Sequence, residues 1–343
     1  MKQPKCISHI YSTLMVMVFI LSMETVFAQK PPFEGMKNFI RPAIKEGGFK
    51  MDEYFLWCPS VIKVGDIYHM FASAWPVQYS IAGWTTYSKC IRATSKNLLG
   101  PYTFQEVVLE KRAGFWDSER VHNVKIVKSG SKFILYYIST ANEIGNAEAT
   151  SITGPWTRSE KMVSFSNPAP LIHPDGHVYI LGRLSVKIEG KDVRVARAAK
   201  AVTYQGPYTA VAPEVINLFP NDYQLEDPTI WWANNQYNVI CTDFGGKATG
   251  IGKSGVQYFS RDGINYQLVT TEPVSTKTIA YDDGTFETFK RVERPFVYTD
   301  ENGVVIAYFL ACMTPEGKGR IIAHPVDHYI PGKSVSKVKG KAK

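Results

Sequence analysis

Five times along this chain the same phrase recurs: a proline at or near its start, an apolar run, a turn of Gly, Asp or Asn, and an aromatic-rich strand. The copies are CPSVIKVGDIYHMF from Cys58, HNVKIVKSGSKFILYY from His122, NPAPLIHPDGHVYIL from Asn167, EDPTIWWANNQYNVI from Glu226 and ERPFVYTDENGVVIAYF from Glu293. Between copies sits a second phrase: RATSKNLLGPYTF at Arg92, EATSITGPWTR at Glu148, RAAKAVTYQGPYTA at Arg197 and a weaker relative, YFSRDGINYQLV, at Tyr258. Each phrase reads as two strands around a turn, and two alternating hairpin phrases make a four-stranded sheet. A period of about sixty residues is long but workable for a propeller blade. The repeat predicts an all-β fold, a five-bladed β-propeller of four-stranded antiparallel blades around a central channel. Aromatic residues, 13% of the chain, suit sheets packed face to face.

The repeat leaves both ends of the chain outside the ring. Lys2 and Lys5 precede an apolar stretch from about Leu14 to Leu21, and Val26 and Ala28 give the small-residue spacing of a cleavage site before Gln29. Residues 1–28 are therefore expected to be a signal peptide and the mature protein to be periplasmic or secreted. Residues 29–330 form the propeller domain, and no second apolar run is long enough for a membrane span. The net charge of +8 is concentrated in Lys333, Lys337, Lys339, Lys341 and Lys343. The segment 331–343 reads as a Lys-rich disordered tail, and the body offers no basic surface for nucleic acid. Cys58, Cys90, Cys241 and Cys312 lie mostly in apolar strand patterns, which fits buried thiols; one disulfide is compatible with them and no framework is implied. The stretch before blade one, from about Phe33 to Lys50, is expected to supply an outer strand to blade five and so lock the ring.

Some motifs mislead. GIGKSG, from Gly250 to Gly255, matches a dinucleotide fingerprint in letters, but VQYFS after it reads as a strand where phosphate binding needs a helix N-terminus. It is read as a glycine-rich loop. His173 and His177 flank a Pro-Asp-Gly turn, His324 and His328 lie near the C-terminus, and neither pair is expected to hold a metal.

The chemistry is sought at the start of each first-phrase strand. In a propeller the innermost strand of every blade runs beside the channel, so equivalent positions of the five copies converge on one funnel. Asp52, Glu53, Trp57 and Cys58 stand there in blade one, Asp117, Glu119, His122 and Asn123 in blade two, and Asn167 in blade three. Glu226 and Asp227 follow in blade four, Glu293 and Arg294 in blade five. The prolines and apolar positions stay alike while the polar residues diversify, as in a site built on a repeated scaffold. The alternative is a ring of salt bridges, for example Arg294 with Glu226, that keeps the blades in register. Carboxylates facing one another across a funnel suit glycoside hydrolysis, in which one carboxyl protonates the leaving oxygen while a carboxylate activates water. Asp227 beside Glu226, or burial against Trp231, would raise the pKa of the acid. Trp57, Trp75, Trp84, Trp116 and Trp232 are candidate platforms for sugar rings.

These phrases carry a resemblance. WCPSVIKVGDIYHMFASAWP, the GPYT phrases, EDPTIWW and RVERPFVY resemble the five-bladed glycosidases of glycoside hydrolase families 43, 32 and 117, and most closely exported family-43-like proteins of polysaccharide degraders. The likeness spans nearly the whole mature chain. It implies a general base before the Pro-Ser of blade one, a pKa-tuning aspartate before the proline of blade three, and a glutamate acid in blade four. Only the last is matched, by Glu226; Cys58 occupies the base position and Asn167 the tuning position. A thiol is a poor base for water and an amide does not ionise. Either the base has moved, to Asp52, Glu53, Asp117 or Glu119, or Glu226, Asp227 and Glu293 set the chemistry, or catalysis is lost.

The resulting expectation is an exported glycoside hydrolase, exo-acting and inverting, on an oligosaccharide from a plant or algal polysaccharide. Its catalytic residues are Glu226, Glu293 and Asp227. Its substrate-binding residues are His122, Arg294, Asp52, Glu53, Trp57, Asp117, Asn123, Asn167 and Trp75. No cofactor or metal is required by any spacing, although a structural divalent ion in the channel is compatible with the polar groups that meet there. A carbohydrate-binding propeller without catalysis is the alternative, followed by a glycoside phosphorylase in which Arg294, Arg291 and His122 hold the anion. Arginine and histidine at the funnel also point to an acidic sugar.

Overall fold

In a computed structural model, residues 33–188, 190–213, 217–220 and 225–332 are described. The signal-peptide expectation and nearly all of the Lys-rich tail lie outside them. Blade one is β1 (Tyr54–Val64), β2 (Ile67–Pro76), β3 (Lys89–Ser95) and β4 (Thr103–Leu109). Blade two is β5 (His122–Ser129), β6 (Lys132–Ile138), β7 (Ile144–Ala149) and β8 (Thr157–Arg158). Blade three is β9 (Ser166–Ile172), β10 (Val178–Ile188), β11 (Lys191–Ala201) and β12 (Thr209–Ala210). Blade four is β13 (Leu225–Ala233), β14 (Gln236–Asp243), β15 (Ser254–Ser260) and β16 (Gln267–Leu268). A small hairpin, β17 (Thr278–Ala280) with β18 (Phe286–Thr288), precedes blade five, made of β19 (Arg291–Thr299), β20 (Val305–Met313) and β21 (Gly319–Tyr329). Each first phrase is the hairpin of strands one and two of a blade, and each second phrase joins strand three to the short outer strand.

Blade five takes its fourth strand from the other end of the chain. Ile40 bridges Val326 and Phe49 bridges Ile321, both antiparallel. The amides of Arg41, Ile44 and Phe49 donate to the carbonyls of Pro325, Ala323 and Ile321 at 2.9, 3.1 and 2.9 Å. One residue earlier, Gly48 turns to blade one: its amide donates to the Leu99 carbonyl at 2.7 Å and its carbonyl accepts from Tyr102 at 2.9 Å. Glycine is needed at this point. Its φ is +66°, and a Cβ there would lie 2.1 Å from the Ile321 carbonyl oxygen. The segment thus ties the first blade to the last, as its position in the sequence led us to expect.

Apolar clusters fill the gaps between blades. Trp231 and Ile240 of blade four meet Tyr308 and Leu310 of blade five. Leu181 of blade three meets Val239 and Tyr258 of blade four. Met70 of blade one meets Phe309 of blade five, Phe71 meets Leu135 of blade two, and Tyr136 of blade two meets Ile180 of blade three. Cys58, Cys90, Cys241 and Cys312 are all buried thiols. No helix among the described residues is long and apolar enough to cross a membrane.

Candidate functional site

One local irregularity, repeated five times, builds the centre of the ring. The pairing of the innermost strand with its neighbour slips between Trp57 and Ser60, His122 and Lys125, Glu226 and Thr229, and Glu293 and Phe296. In blade three it slips where Leu181 and Arg183 face Ala169 and Ser166. Each slip is a β-bulge, and within it one residue adopts the left-handed conformation: Cys58, Asn123, Asn167, Asp227 and Arg294, with φ between 55° and 58°. The next residue is proline in four blades, Pro59, Pro168, Pro228 and Pro295. A proline has no amide to leave unpaired in a bulge. A left-handed non-glycine residue costs on the order of 1–3 kcal/mol and persists only where its surroundings enforce it. The bulge turns two consecutive residues inward, and the repeat therefore yields two stacked rings.

The deeper ring closes the channel. The Cys58 thiol donates to Asn123 Oδ1 at 3.0 Å, Asn123 Nδ2 to Asn167 Oδ1 at 2.8 Å, and Asn167 Nδ2 to Asp227 Oδ1 at 2.6 Å. Arg294 completes the circuit, reaching Asp227 Oδ1 at 2.5 Å and also bonding Asn123. The partner of Arg294 is thus Asp227 and not Glu226. Burial pushes the Asp227 carboxyl up to about 7 against the pull of Arg294, and its Oδ2 has no hydrogen-bond partner among the described residues. Burial also pushes the Cys58 thiol up and the nearby Lys125 ammonium down to about 8.

The upper ring, Trp57, His122, Ser166, Glu226 and Glu293, lines a mouth of about 160 Å³ together with Trp84, Arg183, Arg194, Phe244 and Arg291. Glu226 is ion-paired with Arg194, and Arg183 Nε lies 3.8 Å away. Glu293 accepts from Lys253 at 3.0 Å and Arg291 at 3.2 Å. Phe244 lines the mouth as well, with Arg194 5.3 Å and Lys253 4.2 Å from its ring centre. It holds one cation toward each carboxylate. His122 is buried between Trp84 and Trp75, with Nδ1 2.9 Å from Ser88 Oγ and Nε2 3.8 Å from Cys58 Sγ. Burial first, then Arg294 and Arg120, push its pKa well below the ordinary value, so the imidazole is neutral at pH 7.

Of the residues picked out by sequence, Glu226, Glu293, His122, Arg294, Asn123, Asn167 and Trp57 meet at this mouth, with Asp227 directly below. The other four do not. Asp52 and Glu53 are exposed ahead of β1. Asp117 is fully buried behind blade two, where Arg112, Arg158 and Tyr137 bond its carboxylate. Burial opposes ionisation there, but those hydrogen bonds outweigh it and hold the carboxyl below its usual range. Trp75 has no exposed surface; its ring stacks on Phe55 and its Nε1 donates to the Ser80 carbonyl. Core demand, rather than ligand contact, fixes both side chains.

Sequence reasoning missed Arg183, Arg194, Lys253 and Phe244. Strands β10 and β11 pair past Arg183, the level at which β9 stops at Ser166, and that extra length brings Arg194 to the mouth. Lys253 belongs to the glycine-rich stretch, which is a loop followed directly by strand β15. The Asp243 carboxylate accepts the amides of Lys247, Ala248 and Thr249 and shapes this loop. At the opposite end of the ring, His173, Asp175 and His177 bring ligand atoms within 4.8 Å of one another in the turn between β9 and β10.

No protein-family model and no curated protein matches this chain. Solved structures do. Zg3597, a family 117 glycoside hydrolase of the marine bacterium Zobellia galactanivorans, superposes with a TM-score of 0.64 at 13% identity over 85% of this chain and 91% of its own. A thermostable family-43 glycoside hydrolase gives 0.60 at 14% identity, over 86% and 98%. The arabinanase Arb43A of Bacillus subtilis gives 0.53 at 16% identity, over 81% and 95%. The fold is that of the five-bladed glycoside hydrolases of families 117 and 43.

Proposed function

We propose that the protein is an exported glycoside hydrolase that removes a terminal sugar from a polysaccharide-derived oligosaccharide with inversion. The observation that carries this reading is the pairing of Glu226 and Glu293. They occupy the same position of adjacent blades and line one mouth, on a fold shared with glycoside hydrolases. Glu226, at the position of the family-43 acid, gives its proton to the glycosidic oxygen as the bond to the anomeric carbon breaks. Glu293 takes a proton from water as the water oxygen bonds to that carbon. Asp227, one residue from Glu226 and raised by burial, modulates the pair. The mouth, about 160 Å³, is smaller than the roughly 300–1,000 Å³ of sites that engulf larger ligands, which supports exo action on one sugar ring.

A second reading has its own observation. A buried thiol occupies the family-43 base position, and both mouth carboxylates are already bonded to cations. A carbohydrate-binding propeller would need no more than this. Incubation with a panel of plant and algal oligosaccharides, followed by proton NMR of the first sugar released, separates the two. One monosaccharide appearing with inverted anomeric configuration supports the hydrolase. Binding without release of any sugar contradicts it and leaves the binding module.

A further inference from the structure

The charges around the mouth do not balance. Arg183, Arg194, Arg291 and Arg294 line it, while Glu226 and Glu293 are its only carboxylates among the described residues. With Lys253 on Glu293 and Asp227 under Arg294, five cations stand against three carboxylates. His122, held neutral, adds nothing. The surplus is local, because Arg183 is the least committed of the five. Its Nε is buried without a hydrogen-bond partner, lies 3.8 Å from Glu226, and the guanidinium otherwise donates to Ser185 Oγ at 3.1 Å. Arg294 Nε is also buried and unpartnered. A buried guanidinium with unused donors is costly unless a ligand completes it.

We infer that the mouth is an anionic-sugar subsite, built for a uronate carboxylate or a sulfate ester held by Arg183 with Arg194. The inference rests on the hydrolase reading of the same site and names its substrate class. A planar guanidinium offers two parallel donors that match a carboxylate or sulfate, and Arg194 is fixed by Phe244 beside it. The substrate anion competes with Glu226 for these groups. An acidic sugar therefore frees the Glu226 carboxyl from its cation as it binds, which a neutral sugar does not do.

The test uses the full mature chain and isothermal titration with matched pairs, galacturonate against galactose and glucuronate against glucose, with inorganic sulfate as the simplest probe. At low salt an acid is expected to bind about tenfold or more tighter than its neutral partner, with the preference shrinking as ionic strength rises. Arg183→Ala should abolish the preference and Arg183→Lys should retain part of it, both with wild-type melting. Equal binding of acid and neutral sugars, or no binding of any acid or sulfate, overturns the inference. Hydrolysis of neutral and acidic aryl glycosides is measured on the same samples. Cleavage confined to neutral substrates removes the anionic subsite and leaves the hydrolase; acid preference in binding with no cleavage removes the hydrolase and leaves the subsite.

Discussion

Arg294 of blade five and Asp227 of blade four meet 2.5 Å apart at the channel axis, each from a left-handed residue within a β-bulge. The contact joins the last two blades, and the Arg294 bond to Asn123 carries it across to blade two. One buried ion pair therefore holds the site floor. Its charges have few other partners, so the two residues depend on each other.

Removing one partner of such a pair leaves a buried charge alone, at a cost of about 3–5 kcal/mol. At pH 8, above the value of about 7 at which Asp227 ionises in the folded protein, Arg294→Met should destabilise the protein by that order in urea unfolding. Adding Asp227→Asn to it should recover part of the loss, a coupling that a double-mutant cycle reads directly. Additive losses would mean that the pair is not a unit.

Two buried groups give opposite pH signatures. His324, pushed down to about 4 by burial, donates from Nδ1 to the Arg41 carbonyl in the closing segment. Its folded-state pKa is below the unfolded 6.5, so its contribution is complete above pH 6.5 and is lost as pH falls toward 4, about 3 kcal/mol at most. Asp227 runs the other way. Raised from 3.8 to about 7, it keeps its proton in the folded state while the unfolded chain loses it, so stability falls as pH rises through that window. Both windows span about pH 4 to 7 and the slopes oppose each other, so in denaturation profiles stability should fall more steeply with rising pH in His324→Asn, and rise more steeply in Asp227→Asn, than in the wild type.

The closing segment should govern stability and leave the mouth intact. Gly48→Ala forces a Cβ onto the Ile321 carbonyl at φ +66°. A cost of about 1–3 kcal/mol follows, a melting drop of several degrees for a chain of this size. Deleting residues up to Lys50 should lower melting further. Unchanged melting in both would contradict the closure.

Cys58 should act as a ring member without chemistry of its own. Burial raises its thiol, so alkylating reagents should leave it unmodified in the folded protein at pH 7 and label it after unfolding. Cys58→Ser, which keeps a donor for Asn123, should leave turnover unchanged.

The repeat made the blade count, the strand order and the closing strand legible in the letters alone, because a period of turns and apolar runs is set by the sheet itself. Convergence of Glu226, Glu293, His122 and Arg294 was legible for the same reason: equal register in equal blades means one mouth. The stacked rings were not. Nothing in the letters of WCPS or HNVK shows a left-handed residue that turns two neighbours inward together, and only Asn123, Asn167 and Asp227 are types that favour that conformation. Asp117 looked functional because it stands just ahead of the blade-two strand, and Trp75 because its ring offers a flat face for a sugar; the letters show neither the arginines that bury the first nor the Phe55 ring that covers the second. Arg183, Arg194 and Lys253 went unseen because a long hairpin and a loop deliver them from outside the repeated positions.

The most direct test of the account is kcat of the wild type against Glu226→Gln and Glu293→Gln on whichever oligosaccharide the panel identifies. If the two carboxylates are the acid and base, each substitution should lower kcat by roughly 10²–10⁴-fold while melting stays near that of the wild type. Retention of wild-type turnover in either folded variant would contradict the assignment of these residues to the reaction.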